Sequence, residues 1–317
     1  MRVRKPGKIR DQLWFLGAEE SCVYLLEGTT ESMIISGGLS YLVPEILKQF
    51  EEFHIDETRI GKLLILHSHF DHGGIVPFFN RRNPKLQVYA SARGWEILQM
   101  PRAIQTFNEF SHSVARSGGK EAILAEHDLD WKEGIIGIPV FEGDRIDLGS
   151  LDVLVIKTPG HSSCSISVYV PRLRVLFPSD AGGIPYRDMI IASGNSNFTQ
   201  YQRSLEKLRD LQVEYVCADH YGYVAGEEAG DFIKKTIEVA KQERSLMEEA
   251  YRRIGNIDSA AQELTRDYYH KHPDWVVSSE IVEGVYHQML RHIAGAKTFP
   301  SPSMGEGGGG GGQGKKS

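Results

Sequence analysis

The sequence predicts an α/β fold with an α-helical C-terminal extension, and three observations support this prediction. The chain has 317 residues, of which 41% are hydrophobic, so it is long enough to bury one large core. Short β-branched or aromatic runs, bounded by turn residues, alternate with stretches that have helical periodicity. Further helical stretches follow the last predicted strand.

The first half of the chain begins with a predicted meander of strands. Short runs of β-branched and aromatic residues predict its members at 13–17, 22–27 and 33–36. Residues 42–53 have apolar side chains near helical spacing, and the apolar run 63–66 predicts a buried strand that ends at His67. A short helix, a strand at 87–90 and a helical region through about Glu126 follow, and we interpret the last as an insertion.

Strand patterns resume in the second half of the chain, where strands and turns are spaced much as in the first half. The predicted strands are separated by Gly, Pro or charged turn residues and have the sequences VFEGDRIDLG, LDVLVIKT, SISVYV and RVLF. A helix at 201–211 and a short strand at 215–218 complete a first domain that we place at 1–225.

The remaining residues predict a helical extension, which we place at 226–297. Its helices are expected at about 228–254, 258–271 and 276–294. An apolar stripe in these helices is typical of a docking face, and it predicts either a lid over a cleft or a homodimer face. It consists of Trp275, Val276, Ile281, Val285, Met289 and Ile293. The Gly-rich tail at 298–317 has too few apolar residues to pack and is expected to be disordered.

Composition narrows the classes of function. The net charge of -6 and a pI near 6.1 give no basic excess to neutralise phosphates, so we expect no nucleic-acid partner. Cys22, Cys164 and Cys217 form no CxxC pair and are expected to be buried thiols. No apolar run approaches the ~20 residues of a membrane span, so we expect a cytoplasmic protein without a membrane partner. The sequence has no Gly-rich phosphate loop or dinucleotide fingerprint, and we infer no organic cofactor.

A cluster of polar residues directly follows the predicted buried strand. The sequence HSHFDHGG places His67, His69, Asp71 and His72 within six residues. Imidazole and carboxylate groups suit zinc, iron or manganese, and residues at i and i+2 leave a strand end on the same side. Surface histidines are the better interpretation for a lone His, but not for three histidines and an aspartate at these offsets. We therefore predict a metal site.

The HxHxDH pattern resembles the signature of the metallo-β-lactamase superfamily, and three later motifs follow in the order of that family. They are TPGHSS, which supplies His161, VLFPSDAGG, which supplies Asp180, and CADHYG, which supplies His220. The resemblance covers about residues 10–225 and implies a four-layer αββα sandwich similar to the glyoxalase II-like dinuclear hydrolases. The architecture is also similar to that of the quinolone-signal response protein, a thioesterase-like member.

The resemblance implies two divalent metal ions per chain, which are expected to be Zn or Fe, with Mn as a further alternative. It assigns one ion to His67, His69 and His161, the other to Asp71, His72 and His220, and makes Asp180 the ligand of both. Asp71 and Asp180 are the candidate catalytic residues, and a hydroxide shared by the ions would be the nucleophile. Most relatives have an Asp after the strand at 33–36 that braces the metal loop, whereas this chain has Ser36. The groups that orient the ligands must therefore differ.

Aromatic residues near the motifs are candidate substrate-binding residues, with core packing as the alternative for each: Phe70, Phe107, Tyr221 and Tyr223. We expect a small-molecule substrate and hydrolysis of an ester-like bond, with a thioester favoured over a lactone or phosphodiester. One alternative is an iron-dependent oxygen or sulfur redox enzyme of the same fold, although the flavodiiron pattern has Glu in place of His69. Another is a regulatory binding protein with incidental hydrolysis.

Overall fold

The computed structural model describes residues 1–273 and 278–295 of the chain. Its β-strands are β1 Arg2–Val3, β2 Gly7–Arg10, β3 Leu13–Ala18, β4 Ser21–Glu27, β5 Ser32–Ile35, β6 Ile60–Leu64, β7 Gln87–Ser91, β8 Gly137–Val140, β9 Arg145–Asp147, β10 Asp152–Lys157, β11 Ile166–Val170, β12 Val175–Phe177, β13 Ile184–Tyr186, β14 Met189–Ile191, β15 Tyr215–Cys217 and β16 Tyr223–Ala225. Its α-helices are α1 Val43–Glu52, α2 Val76–Arg82, α3 Ala92–Leu98, α4 Pro101–Ser117, α5 Glu121–Glu126, α6 Phe198–Leu208, α7 Glu227–Ile254, α8 Ile257–Lys271 and α9 Ser279–Gly295.

Most of the strands belong to two seven-stranded sheets. The N-terminal sheet has the order β2-β3-β4-β5-β6-β7-β8, and the C-terminal sheet has the order β1-β16-β15-β12-β11-β10-β9. In the N-terminal sheet, β2 to β5 are antiparallel, whereas β5 to β8 are parallel and are joined by connections that contain α1 to α5. Parallel neighbours need such crossovers, which place helices on one face of the sheet.

Three hydrophobic cores separate four layers. The inner faces of the two sheets meet in a core that includes Phe15, Tyr24 and Phe177, all with no exposed side-chain area. The outer face of the N-terminal sheet packs against α1 to α5, and that of the C-terminal sheet packs against α6 to α9. Each large apolar side chain that becomes fully buried contributes roughly 1.5–3 kcal/mol to folding. The predicted four-layer αββα sandwich is confirmed.

Tyr24 links the two sheets by hydrogen bonds as well as by packing. Its ring contacts Phe177 with a centroid distance of 5.4 Å. Its hydroxyl lies 2.6 Å from the Ala218 carbonyl oxygen and 3.0 Å from that of Gly222, on the far sheet. The backbone around residue 220 is therefore anchored to the N-terminal sheet.

The C-terminal helices share one core with α6 and the C-terminal sheet. Helix α7 follows Gly226, has acidic residues in its first turn and ends at Gly255, whose φ of 72° is left-handed. Asn256 caps α8 by accepting a hydrogen bond from the Ser259 N–H. The predicted helices at 228–254 and 258–271 are present within one residue, and the third runs Ser279–Gly295. The stripe residues Trp275 and Val276 and the tail 298–317 lie outside the described residues.

No helix among the described residues has the length and apolar character that a bilayer crossing requires. The three cysteines are buried and free, as the sequence predicts.

Candidate metal centre

The loop between β6 and α2 carries four of the predicted ligands. After β6 the chain forms a short 3-10 turn, Phe70–His72, and then Gly73 and Gly74. A Cβ atom on Gly74 would lie 2.3 Å from the Ser40 backbone nitrogen and 2.8 Å from the Gly38 carbonyl oxygen. Only glycine permits this close approach of two backbones. The approach packs the metal loop against the segment that follows β5.

The other three predicted ligands follow strands of the C-terminal sheet. His161 comes after β10, Asp180 lies in the 3-10 turn Ser179–Gly182 after β12, and His220 comes after β15. The fold brings all of them to the loop of the N-terminal sheet. Each imidazole or carboxylate is therefore fixed by backbone at the end of a regular element.

Three histidine nitrogens converge in the first ligand group. His69 Nδ1 lies 3.0 Å from His67 Nε2 and 3.2 Å from His161 Nε2. Nitrogens that share a tetrahedral zinc at ~2.0 Å stand about 3.3 Å apart. A neutral imidazole carries a single N–H, so three nitrogens that all face one another cannot all be paired by hydrogen bonds. The first group therefore fits a metal ion.

The second ligand group consists of Asp71, His72 and His220. Asp71 Oδ2 lies 3.5 Å from His72 Nε2 and 3.6 Å from His220 Nε2. His72 Nε2 is buried and has no hydrogen-bond partner in the described part of the chain. A buried polar atom without a partner is costly, and a cation at this position would remove that cost.

Asp180 lies between the two groups. Its Oδ2 atom is 3.4 Å from His161 Nε2 and 3.5 Å from His72 Nε2, and its Oδ1 atom is 3.6 Å from His220 Nε2. One carboxylate thus faces histidines of both groups, which is the geometry that a bridging ligand requires.

Burial and neighbouring charges set the protonation of the site. Burial lowers the pKa of His67, and it lowers the pKa of His69 to about 4, with nearby histidines acting in the same direction. Burial opposes ionisation of Asp180, but His220 and His72 outweigh it and hold the pKa of that carboxyl well below its usual range. The first group thus offers neutral nitrogens and Asp180 offers a negative charge, the forms in which these side chains bind metals.

Further residues contact the predicted ligands and were not predicted from the sequence. Asp219 Oδ2 accepts a hydrogen bond from His72 Nδ1 at 2.9 Å, Ser179 Oγ lies 3.0 Å from His67 Nδ1, and the Ser193 carbonyl oxygen lies 2.8 Å from His161 Nδ1. Asp219 and Ser179 each directly precede a predicted ligand in the sequence, which is the signal that could have indicated them. Ser36 does not take such a role, because its buried hydroxyl has no hydrogen-bond partner among the described residues.

Two of the predicted substrate-binding residues lie partly exposed beside the ligands. Phe70 stacks on Phe110 of α4, with ring centroids 5.5 Å apart and an interplanar angle of 18°. Tyr221 follows His220 and packs edge-on against Tyr186 of β13 at 4.8 Å. Both rings are half-buried and next in sequence to ligands, so they can border a bound molecule.

The other two predicted substrate-binding residues lie in hydrophobic cores. Phe107 packs on Trp131 at 5.3 Å, and its ring lies close to Gly73 in the metal loop. Tyr223 lies in the core between the sheets and packs edge-on against Phe15. These positions give both residues a packing role, and their contact with substrate stays a prediction.

Comparison with known proteins agrees with this architecture. The profile of the Metallo-beta-lactamase superfamily matches residues 16–220. A metallo-beta-lactamase fold-containing protein of Sulfurisphaera tokodaii is 23% identical over 226 residues, which are 69% of this chain and 79% of the relative. A hydroxyacylglutathione hydrolase of Hahella chejuensis is 31% identical over 126 residues, which are 35% of this chain and 46% of that relative.

Solved structures extend the likeness to most of the chain. A metallo-beta-lactamase family protein of Thermus thermophilus superposes with a TM-score of 0.65 and 18% identity, covering 91% of this chain and 95% of that chain. This likeness shows the fold. Because the family profile spans all seven predicted ligands and the structure has the corresponding sandwich, the chain belongs to the metallo-beta-lactamase superfamily, whose members are generally metal-dependent hydrolases.

Proposed function

We propose that this protein is a dinuclear metal-dependent hydrolase of an ester-like bond, and that the bond is a thioester. The observation that carries the proposal is the position of Asp180, whose carboxylate oxygens lie 3.4–3.6 Å from histidines of both ligand groups. A lone metal site would not need an anionic group shared between two sets of three ligands.

The residues of each group have defined roles in this proposal. One ion would be held by His67, His69 and His161, the other by Asp71, His72 and His220, with Asp180 binding both. Two divalent ions supply a hydroxide nucleophile at neutral pH and polarise the carbonyl oxygen of the substrate. The protein would hold the imidazoles in place, keep those of the first group neutral and compensate the metal charge with two carboxylates. The Nδ1 atom of His69 faces His67 and His161, but another part of His69 is exposed to solvent, whereas His67 is buried, so substrate would approach from the side of His69.

Two observations support a thioester. The relative from Hahella chejuensis is named a hydroxyacylglutathione hydrolase, and hydroxyacylglutathione carries its acyl group on sulfur. In addition, the stacked Phe70 and Phe110 rings lie beside the ligands and offer an apolar surface for an acyl group.

Metal analysis and a substrate screen test the proposal. The protein would be purified without chelator, assayed for bound metals, and screened against acyl-CoA and acyl-glutathione thioesters, lactones and phosphodiesters. We expect two ions per chain and metal-dependent release of thiol. The double variant His69→Ala, Asp180→Ala should lose both, whereas the control His54→Ala should keep both. One bound iron without hydrolysis would contradict the proposal in favour of a redox enzyme.

A further inference from the structure

A single buried carboxylate connects ligands of the two metal groups. Asp219 is 2% exposed, and its Oδ2 atom lies 2.9 Å from His72 Nδ1 and 2.7 Å from Ser179 Oγ. Ser179 Oγ lies in turn 3.0 Å from His67 Nδ1. The network therefore begins at one histidine of the first group and ends at one histidine of the second.

The chemistry of these groups fixes the direction of each hydrogen bond. A carboxylate only accepts, so His72 Nδ1–H and the Ser179 hydroxyl both donate to Asp219. With its hydrogen used in this way, the Ser179 oxygen accepts from His67 Nδ1–H. In the neutral form that binds a metal, both histidines then carry their hydrogen on Nδ1 and present a bare Nε2 nitrogen.

The bare nitrogens face the proposed metal positions. His67 Nε2 is 3.0 Å from His69 Nδ1, and His72 Nε2 is 3.5 Å from both Asp71 Oδ2 and Asp180 Oδ2. The network thus selects the tautomer in which each ring can bind a cation. The backbone of Asp219 is also fixed, because its carbonyl oxygen accepts a hydrogen bond from the Cys22 N–H at 2.7 Å.

We propose that Asp219, acting through Ser179, is the positioning residue that orients one ligand of each metal ion. Asp219 lies at the end of a strand of the C-terminal sheet and orients the ligands from there, which Ser36 cannot do from the N-terminal sheet. This inference rests on the proposed dinuclear site. It implies that the two ions share one orienting group in addition to the ligand Asp180.

Competition titration against a chromophoric chelator tests the proposal. Full-length protein stripped of metal would be titrated with Zn²⁺, and the number and affinity of bound ions would be measured for three variants. Loss of an outer hydrogen-bond partner typically weakens metal affinity by about 10–100-fold. Asp219→Ala should therefore lower the affinity for both ions by this factor, whereas Ser179→Ala should lower the affinity only for the ion held by His67. Asp210→Ala removes an exposed carboxylate and should match the wild type.

The variant Asp219→Asn separates positioning from packing, because it preserves volume. Both hydrogen bonds end on the same oxygen, Oδ2, so the amide oxygen of Asn can take that position and accept from both partners, but without the negative charge of the carboxylate. We expect Asp219→Asn to weaken the binding of both ions, but less than Asp219→Ala does, because the acceptor atom remains while its charge is lost, and we expect an unchanged circular dichroism spectrum. Wild-type affinity for both ions in Asp219→Asn and Asp219→Ala would overturn the positioning role alone. Absence of Zn²⁺ binding in the wild type and in Asp210→Ala would overturn the dinuclear site and this inference with it.

Discussion

The Cys164 thiol lies 3.2 Å from the Ser68 hydroxyl and 3.4 Å from the Ser68 backbone nitrogen. Ser68 stands between the predicted ligands His67 and His69. The same sulfur lies 3.3 Å from the hydroxyl of Ser162, which follows His161. The thiol therefore joins two ligand-bearing loops from different sheets.

The effect of replacing Cys164 on stability should depend on whether the new side chain can form hydrogen bonds. Cys164→Ser keeps a polar atom at this buried position, whereas Cys164→Val removes the partner of Ser68, and Ser162 keeps its hydrogen bond with the Ser165 hydroxyl. We expect Cys164→Val to lower the free energy of unfolding by about 1–3 kcal/mol relative to Cys164→Ser. Urea unfolding at fixed metal concentration measures this difference, and equal stability of the two variants would contradict it.

The two glycines after the metal loop should respond differently to substitution. Gly74→Ala places a Cβ atom against the backbone of residues 38–40, whereas a Cβ on Gly73 would lie 3.4 Å from the Phe107 ring, an ordinary contact. We expect Gly74→Ala to cost several kcal/mol of stability, on the order of 3 or more, and Gly73→Ala to cost less than about 1. Thermal unfolding of both proteins checks the order, and a more stable Gly74→Ala protein would refute this account of the loop.

Phe110 should contribute to recognition of apolar acyl groups more than to stability. The ring is 54% exposed and stacks on Phe70 beside the ligands. Phe110→Ala should raise KM for long-chain or aromatic acyl thioesters by about 5–10-fold, equivalent to roughly 1–1.4 kcal/mol, and leave KM for acetyl thioesters unchanged. Met100→Ala removes another exposed apolar side chain and serves as the control. A KM that is independent of acyl length in both proteins would exclude the predicted contact.

Removal of metal should lower the melting temperature. Ions that bind only the folded state stabilise it by about 2.7 kcal/mol at a free concentration of 100 times Kd. We expect a chelator to lower Tm by several degrees and added Zn²⁺ to restore it. The double variant His69→Ala, Asp180→Ala should show no shift under either condition. A chelator effect of the same size in that variant would point to a different metal site.

Glu243 of α7 should make stability depend on pH. Burial raises the pKa of its carboxyl above the ordinary value of 4.5, against the opposing effect of Lys271, and Tyr268 and Tyr286 also face it. The folded state therefore favours the protonated form, and this stabilisation is present below about pH 4.5 and is lost as pH rises through the raised pKa. Glu243→Gln should match the wild type at about pH 4 and have a higher Tm, by on the order of 1–3 °C, at about pH 8. The exposed Glu249→Gln is the control, and a Tm difference that does not vary with pH would contradict this.

The sequence was sufficient to predict the sandwich and to select seven residues that the fold brings together, because strands with clear patterns precede short motifs of fixed spacing. It was not sufficient where partners are distant or elements are short. Asp219 and His72 are 147 residues apart, so no local pattern relates them. Strand β16 has only three residues, and its alternation turns Tyr223 into the inter-sheet core although Tyr223 is close to His220 in sequence. Proximity along the chain therefore did not indicate which of these aromatic side chains are buried in the core.

Each predicted ligand group contains residues from both sheets. The amount of metal that the protein retains should therefore depend on how well the two halves of the molecule are aligned. Each group takes two residues from the loop after β6 and one from the opposite sheet, so neither half alone can complete a coordination sphere. Tyr24, which holds the backbone around residue 220 from the other sheet, contributes to this alignment without touching a ligand. A small sliding of one sheet over the other would thus release ions from a protein whose secondary structure is still intact.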